Sequence, residues 1–236
     1  EGELNLTKCK KLTTLAIYKV KLKSIKLQAN NSLTNLLIVN VEDMDFSFLA
    51  MCKSLKILEI SSRGSTFDLD ILSGLNELEI LNLNHLKING NLNKMARLKK
   101  LTLKVSKLGS STYSELPNLP ASLKSLEIIP WKDDTYGTDF SLEPLLECPN
   151  LRNLFIKLQK CNINLKHLKN CVNLNNLHLI VNSIQKTKSL EKLTSLTNLN
   201  LFIVGTINID AKLYKCPLLK TIRLISPEIN TIDFLE

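Results

Sequence analysis

Residues 171–184, with the sequence CVNLNNLHLIVNSI, decide the fold of this chain. Leu174, Leu177 and Leu179 are spaced so that a short strand directs them to one side. Ile184 returns to that side after a turn at Asn182. The stretch therefore predicts one strand with an apolar side, followed by a turn that continues the same apolar side.

The same spacing recurs throughout the 236-residue chain. Leucine or isoleucine occupies the first, fourth and sixth positions of ten segments, whose successive starts lie 20 to 28 residues apart. A single turn of this kind cannot bury its apolar side, but stacked turns form a continuous core. We therefore predict one domain over residues 1–236. The first positions of the ten repeats are Leu12, Leu33, Leu55, Leu78, Leu98, Leu123, Leu151, Leu174, Leu196 and Leu219.

The pattern in residues 174–184 resembles the leucine-rich repeat, LxxLxLxxNxL. This resemblance implies an α/β solenoid with a parallel concave sheet of about ten strands. Residues 67–75, 140–148 and 165–171 have apolar side chains at three- and four-residue spacings, which predicts short helical turns on the convex side. Residues 207–213 look more extended. We expect short helices, 3₁₀ turns and loops together on that side.

Two details refine the resemblance. Only Asn182 supplies the asparagine of the ninth position, so we expect no continuous asparagine ladder at the turns. The cysteine-containing phase of LLECPNLRNLFI, residues 145–156, is similar to the repeats of F-box substrate receptors. That similarity implies an alternative function, the substrate-recognition region of an F-box-type ubiquitin ligase.

Both ends of the sequence look cut, so we expect a fragment of a longer array.

Cysteine placement predicts buried, reduced thiols. Five of the six cysteines lie three residues before the first leucine of a repeat, a slot that other repeats fill with Leu75, Met95 or Leu193. A slot shared by these residue types is an apolar core position. Reduced thiols favour a cytoplasmic or nuclear location. The five are Cys9, Cys52, Cys148, Cys171 and Cys216.

The sequence gives little support to an enzyme or a membrane protein. No apolar run approaches the roughly 18 residues of a membrane span. The chain has no CxxC or HxxxH spacing, phosphate-binding loop or glycine-rich dinucleotide turn, and its three histidines lie in different repeats. We interpret the adjacent Asp133 and Asp134 as solvated. We predict no catalysis, no cofactor and no metal.

The net charge of +9 is uneven along the chain. Residues 152–192 contain eight basic residues and one acid, Glu191, whereas residues 131–147 lean acidic. A basic surface can neutralise phosphates, so nucleic acid is a rival partner. However, the convex lysines alternate with core leucines and lack aromatic neighbours for base stacking. We therefore predict no specific nucleic-acid site on the convex lysines, which are Lys166, Lys169, Lys186 and Lys188.

The concave face is the predicted binding site. Alternation places the third, fifth and seventh strand positions there, and in repeats six to ten these positions include large apolar residues. Exposed apolar patches mark protein interaction sites, so we predict a protein-binding scaffold. Two alternatives stay open for the patch: a loop or a flanking domain covers it, or high β-propensity alone selects these residues. For Trp131 the alternative is that it packs over the edge of the sheet. The predicted site residues are Ile129, Trp131, Tyr136, Asn153, Phe155, Asn176, His178, Ile180, Asn198, Asn200, Phe202, Arg223 and Ile225.

Overall fold

A computed structural model describes residues 2–28, 32–41, 44–62, 65–105, 107–108, 116–130 and 139–232. Within these ranges the chain forms short strands and 3₁₀ helices. The strands are β1 (Gly2–Asn5), β2 (Thr14–Tyr18), β3 (Leu22–Lys26), β4 (Asn35–Val39), β5 (Ile57–Ser61), β6 (Thr66–Asp68), β7 (Ile80–Asn84), β8 (Lys87–Asn89), β9 (Lys100–Val105), β10 (Lys107–Leu108), β11 (Ser125–Pro130), β12 (Asp139–Phe140), β13 (Asn153–Asn164), β14 (Asn176–Gln185), β15 (Asn198–Ile203), β16 (Thr206–Ile209), β17 (Thr221–Ile225) and β18 (Glu228–Ile232). The 3₁₀ helices are η1 (Ser47–Met51), η2 (Leu69–Leu72), η3 (Glu143–Glu147), η4 (Leu165–Asn170), η5 (Thr187–Lys192) and η6 (Leu213–Lys215).

One long parallel sheet contains a strand from each predicted repeat. Its order is β2-β4-β5-β7-β9-β11-β13-β14-β15-β17, which follows the chain. Equivalent repeat positions pair across the sheet: Leu177 lies opposite Leu154 on one side and Leu199 on the other. The prediction of a parallel sheet of about ten strands is confirmed.

The core lies behind this sheet. Leu174, Leu177 and Leu179 are fully buried, as the alternation of a strand requires. Burial fails only at the ends of the array, where Leu12 and Leu15 are half-buried and Ile222 is 43% exposed. A core side chain of an end turn packs against a neighbouring turn on one side only, which explains this exposure.

The convex side contains short helical segments and loops, as predicted. Every helix in the described ranges is of the 3₁₀ type, and none is long and apolar enough to span a membrane. Segments of three to six residues are too short for the i→i+4 bonding of a stable α-helix. Between the helices and the concave strands lie further short parallel strands, which pair turn by turn: β6, β8 and β10 form one such sheet, and β16 pairs with β18. The extended backbone predicted within residues 207–213 corresponds to the end of β16.

Five cysteines lie three residues before the first leucine of a repeat, and four of them lie in the core as predicted. All six thiols of the chain are free. The Cys171 thiol donates to the carbonyl oxygen of Leu145 at 3.4 Å, and that of Cys216 donates to Leu190 at 3.3 Å. These weak bonds link each slot to the preceding turn. Cys9 is exposed, so the prediction of a buried thiol is wrong there.

The concave strands end differently in the two halves of the array. Lys19, Asn40 and His85, each at the eighth position of a repeat, have positive φ angles that turn the chain sharply. In repeats seven and eight the strands β13 and β14 instead continue for 12 and 10 residues. There the Asn182 amide donates to the Asn162 side-chain oxygen at 2.9 Å, so it bonds to the neighbouring turn.

Candidate functional site

Four adjacent strands, β13, β14, β15 and β17, present most of the predicted site on one face of the sheet. Their side chains align in three rows, because equivalent positions pair in register. We call this surface the concave patch. The first row is Asn153, Asn176, Asn198 and Thr221; the middle row is Phe155, His178, Asn200 and Arg223; the last row is Lys157, Ile180, Phe202 and Ile225.

The first row is a chain of side-chain amides. The Asn176 Nδ2 donates to the Asn153 Oδ1 at 2.6 Å, and the Asn198 Nδ2 donates to the Asn176 Oδ1 at 2.6 Å. Each amide nitrogen has a second hydrogen and each oxygen a second lone pair. The row therefore fixes the orientation of its amides. The Asn198 Nδ2 also donates to the Thr197 Oγ1 at 3.0 Å, so donor capacity for a bound molecule lies at Asn153 and Asn176.

An aromatic cluster links the middle and last rows. The His178 ring lies edge-on to Phe155 with 4.8 Å between centroids, and it stacks on Phe202 at 5.5 Å with an interplanar angle of 30°. These geometries are favourable for aromatic pairs. All three side chains are only half-buried. The cluster is therefore an ordered apolar surface that is open to a partner.

The environment of His178 keeps its imidazole neutral. Burial lowers the pKa of His178, and the nearby Arg223 guanidinium lowers it further. The Nε2 atom is buried without a hydrogen-bond partner in the described part of the chain. A neutral ring between two phenylalanines contributes mainly apolar and stacking surface at neutral pH.

The last row combines apolar side chains with one cation. Ile180 and Phe202 are half-buried neighbours, and Ile225 is 51% exposed. Lys157, which the predicted site omitted, lies opposite Ile180. Lys157 occupies the seventh strand position of repeat seven. The alternation that selected the other site residues could therefore also have identified it. Ile129 lies on β11, on the far side of β13, so Lys157 separates it from the apolar residues that were predicted to accompany it.

Two predicted aromatic site residues lie outside the described ranges. Trp131 and Tyr136 both belong to residues 131–138, as do Asp133 and Asp134. The concave patch as described therefore consists of sheet residues alone.

The first half of the concave face is polar and partly closed. The Asn82 Nδ2 donates to a Glu59 carboxylate oxygen at 3.3 Å, and the Asn84 Nδ2 donates to the other at 3.5 Å. Ser61 and Thr102, which alternation assigned to solvent, are buried. Larger neighbouring side chains cover these small residues; Thr102, for example, pairs with Asn82 and Glu127. Half-buried Leu37, Val39, Ile57 and Ile80 also lie on this half, among the polar side chains.

The titratable groups do not form a reactive centre within the described residues. Burial raises the pKa of the Cys148 and Cys171 thiols to about 12 and that of Cys161 to about 11, so these thiols stay protonated at neutral pH. No three or more His, Cys, Asp or Glu side chains converge there as metal ligands.

Comparisons with known proteins agree with this architecture. No family model and no curated protein matches the chain. The solved structure of internalin C2 from Listeria monocytogenes is similar, with 17% identity over 91% of this chain and 80% of that chain and a TM-score of 0.53. A leucine-rich-repeat protein from Leptospira interrogans has 14% identity over 94% of this chain and 66% of that chain, with a TM-score of 0.52. Together with the ten-stranded parallel sheet, these likenesses show that the chain is a leucine-rich-repeat solenoid.

Proposed function

We propose that the chain binds another protein through its concave surface over repeats six to ten, chiefly through the concave patch. The observation that carries this proposal is the half-exposed cluster of Phe155, His178 and Phe202 on a hydrogen-bonded parallel sheet. Aromatic residues held in place by a rigid scaffold are typical anchors of protein interfaces. Their ordering before binding also reduces the entropy that association must overcome.

The three rows supply different parts of such an interface. The amide row offers donors and acceptors to a partner's backbone or polar side chains, while the aromatic and isoleucine side chains bury apolar area. Arg223 is exposed at the edge of the middle row, where a charge affects specificity and association rate. An apolar centre with a polar rim is the usual anatomy of a protein interface.

A protein fits this surface better than a small molecule. Small-molecule sites are enclosed clefts that bury most of the ligand. The concave patch is instead an open sheet face, four strands wide, or roughly 14 Å at the usual strand spacing. Solenoids use such extended concave surfaces for macromolecular partners.

The test compares two double variants, each of which introduces two aspartates on the concave face. Ile180→Asp with Phe202→Asp disrupts the patch, whereas Ile57→Asp with Ile80→Asp places the same charges at half-buried concave positions of repeats three and four. The partner is isolated from source-cell lysate with the native chain, purified, and titrated against each chain. We expect the patch variant to weaken binding at least about 100-fold, as loss of central anchors does. The control should stay within about threefold.

Circular dichroism must first show that both variants keep the strand signal of the native chain. Equal affinity of the native chain and the folded patch variant would contradict the proposed site. A larger loss in the control than in the patch variant would move the site to the first half of the array.

The F-box alternative uses the same surface for a ubiquitin-ligase substrate. Cys148 and Cys171, the cysteines that carry this similarity, occupy core slots. We therefore keep it as a second proposal. Co-purification of the full-length protein with a ligase adaptor would support it, and the patch variant should then lose the substrate while retaining the adaptor.

A further inference from the structure

A second surface with a different chemistry lies on the convex side, between η4 and η5. It is a groove of about 660 Å³, and four lysines from the two helices line it. His167 and Glu191 also reach the groove. The lysines are Lys166 and Lys169 on η4, and Lys188 and Lys192 on η5.

The four groove lysines have no ion-pair partner among the described residues. Elsewhere, basic residues meet acids of the preceding turn: Lys99 contacts Glu79 at 2.8 Å, and Arg97 contacts Glu77. Lys166 and Lys188 instead occupy the second position of consecutive helices, so two like charges lie one turn apart. Such an arrangement carries mutual repulsion that an anionic partner would relieve.

Glu191, the acid of the groove, is already engaged. Its carboxylate accepts a hydrogen bond from the Lys215 Nζ at 2.7 Å and one from the Lys212 backbone N–H at 3.0 Å. Only 8% of its side chain is exposed. Its hydrogen bonds are therefore made with the following turn, although its charge also attracts Lys188. The four lysines still outnumber this single acid among the residues that line the groove.

His167 reports the electrostatic environment of the groove. Its Nδ1 atom is buried and has no hydrogen-bond partner within the described ranges. Burial and the charge of Lys166 lower the pKa of His167, and Lys169 acts in the same direction, against the opposing effect of Glu143. The ring therefore lies in a positive field that disfavours another cation and favours an anion.

We propose that this groove binds a short acidic segment of a partner protein, by contacts between carboxylates and the four lysines. The basic surface ends at η3, where Glu143 and Glu147 flank the groove. The groove is lined by two helices, η4 and η5, which belong to adjacent turns. An extended peptide rises about 3.3 Å per residue, so a segment of a few residues can contact lysines of both helices. The site is separate from the concave patch, so it does not depend on the proposed function.

Nucleic acid fits these features less well. Among the described residues, no Phe, Tyr or Trp lines the groove. Single strands gain much of their affinity from stacking on aromatic rings. A longer polyanion that continued past η4 would meet the two glutamates of η3. A short acidic protein segment can end before that point.

The test uses fluorescence anisotropy with the full chain and a labelled peptide of four consecutive glutamates flanked by glycines. The variant Lys166→Glu with Lys188→Glu reverses the groove charge. The control, Lys8→Glu with Lys10→Glu, makes the same net change at two exposed lysines of the first turn. We expect binding at low salt that weakens at least about tenfold in the groove variant and less than about twofold in the control.

Two further ligands are titrated against the native chain. One is the same peptide with glutamines in place of the glutamates, which should not bind, and the other is a twelve-nucleotide oligothymidine. An equal loss of peptide affinity in the groove variant and the control would overturn the proposal, because it would show that binding depends on net charge alone. Unchanged peptide affinity of the groove variant would overturn it as well. Tighter binding of the oligonucleotide than of the peptide would also overturn it. If the glutamate variant fails to fold, Lys166→Gln with Lys188→Gln provides the same comparison, with a smaller expected loss.

Discussion

At the scale of single residues, His178 has the most distinctive environment of the candidate site. Its ring contacts Phe155 and Phe202, and burial and Arg223 together lower its pKa. Protonation would place a cation between two apolar rings and next to a guanidinium. The folded state therefore prefers the neutral form more strongly than the unfolded chain does.

This preference predicts a pH dependence of stability. The unfolded histidine has a pKa of about 6.5, and the folded value lies below it. The unfolded state therefore binds more protons between those two values, and the free energy of unfolding falls as the pH decreases through that window. His178→Phe removes this contribution. We expect urea titrations to show a smaller loss of stability from pH 7.5 to 5.5 in the variant than in the native chain.

The comparison isolates His178 because other titrating groups are common to both proteins. His167, whose pKa is also lowered, contributes equally to each. An equal pH dependence in the two proteins would show that His178 does not contribute.

At the scale of elements, some convex 3₁₀ helices begin with a side-chain oxygen that accepts a hydrogen bond from a backbone N–H group of the first turn. The Asn164 Oδ1 accepts a hydrogen bond from the Lys166 N–H at 3.0 Å at the start of η4. Similar bonds join Asp68 to the Asp70 N–H and Asp45 to the Ser47 N–H. The caps recur because each short helix begins with N–H groups that have no partner within the helix.

Asn164→Ala tests this element directly. The substitution leaves the Lys166 N–H without its side-chain acceptor, and we expect it to lower the free energy of unfolding by about 0.5–2 kcal/mol. Asn164→Asp keeps an acceptor at the same position and should stay close to the native value. Chemical denaturation of the three proteins measures the difference; equal destabilisation by both substitutions would show that the cap is unimportant.

At the scale of the whole molecule, the net charge of +9 opposes compaction. The described ion pairs from Lys26, Arg97 and Lys99 involve exposed side chains. Such pairs contribute little to stability. The groove lysines between η4 and η5 add repulsion, because the acid of the groove, Glu191, is paired with Lys215 of the next turn. Electrostatic repulsion should therefore exceed attraction in this protein.

Salt should consequently stabilise the fold. Raising the ionic strength from about 0.01 M to about 0.15 M shortens the screening length from about 30 Å to about 8 Å, which weakens long-range repulsion. We expect a higher melting temperature at the higher ionic strength. The Lys166→Glu, Lys188→Glu variant lowers the net charge from +9 to +5 and should respond less. A melting temperature that falls with salt in the native chain would show that attractive pairs dominate.

The sequence by itself determined the repeat, the inward leucines and the side chains that share the concave face. Leu177 and His178 illustrate this, because alternation along a strand separates core from surface before any fold is known. The position of the slot cysteines was equally predictable, except at Cys9, where burial depends on a neighbouring turn.

Only the tertiary structure decided how the side chains meet. The amide chain from Asn153 to Asn198 and the stacking of His178 on Phe202 join residues more than twenty positions apart. Periodicity sets the direction of a side chain, but its rotamer and hydrogen-bond partner depend on the adjacent turn. Short convex strands also depend on adjacent turns, because β6 pairs with β8 and β16 pairs with β18. A solenoid turn acquires these features from its neighbours.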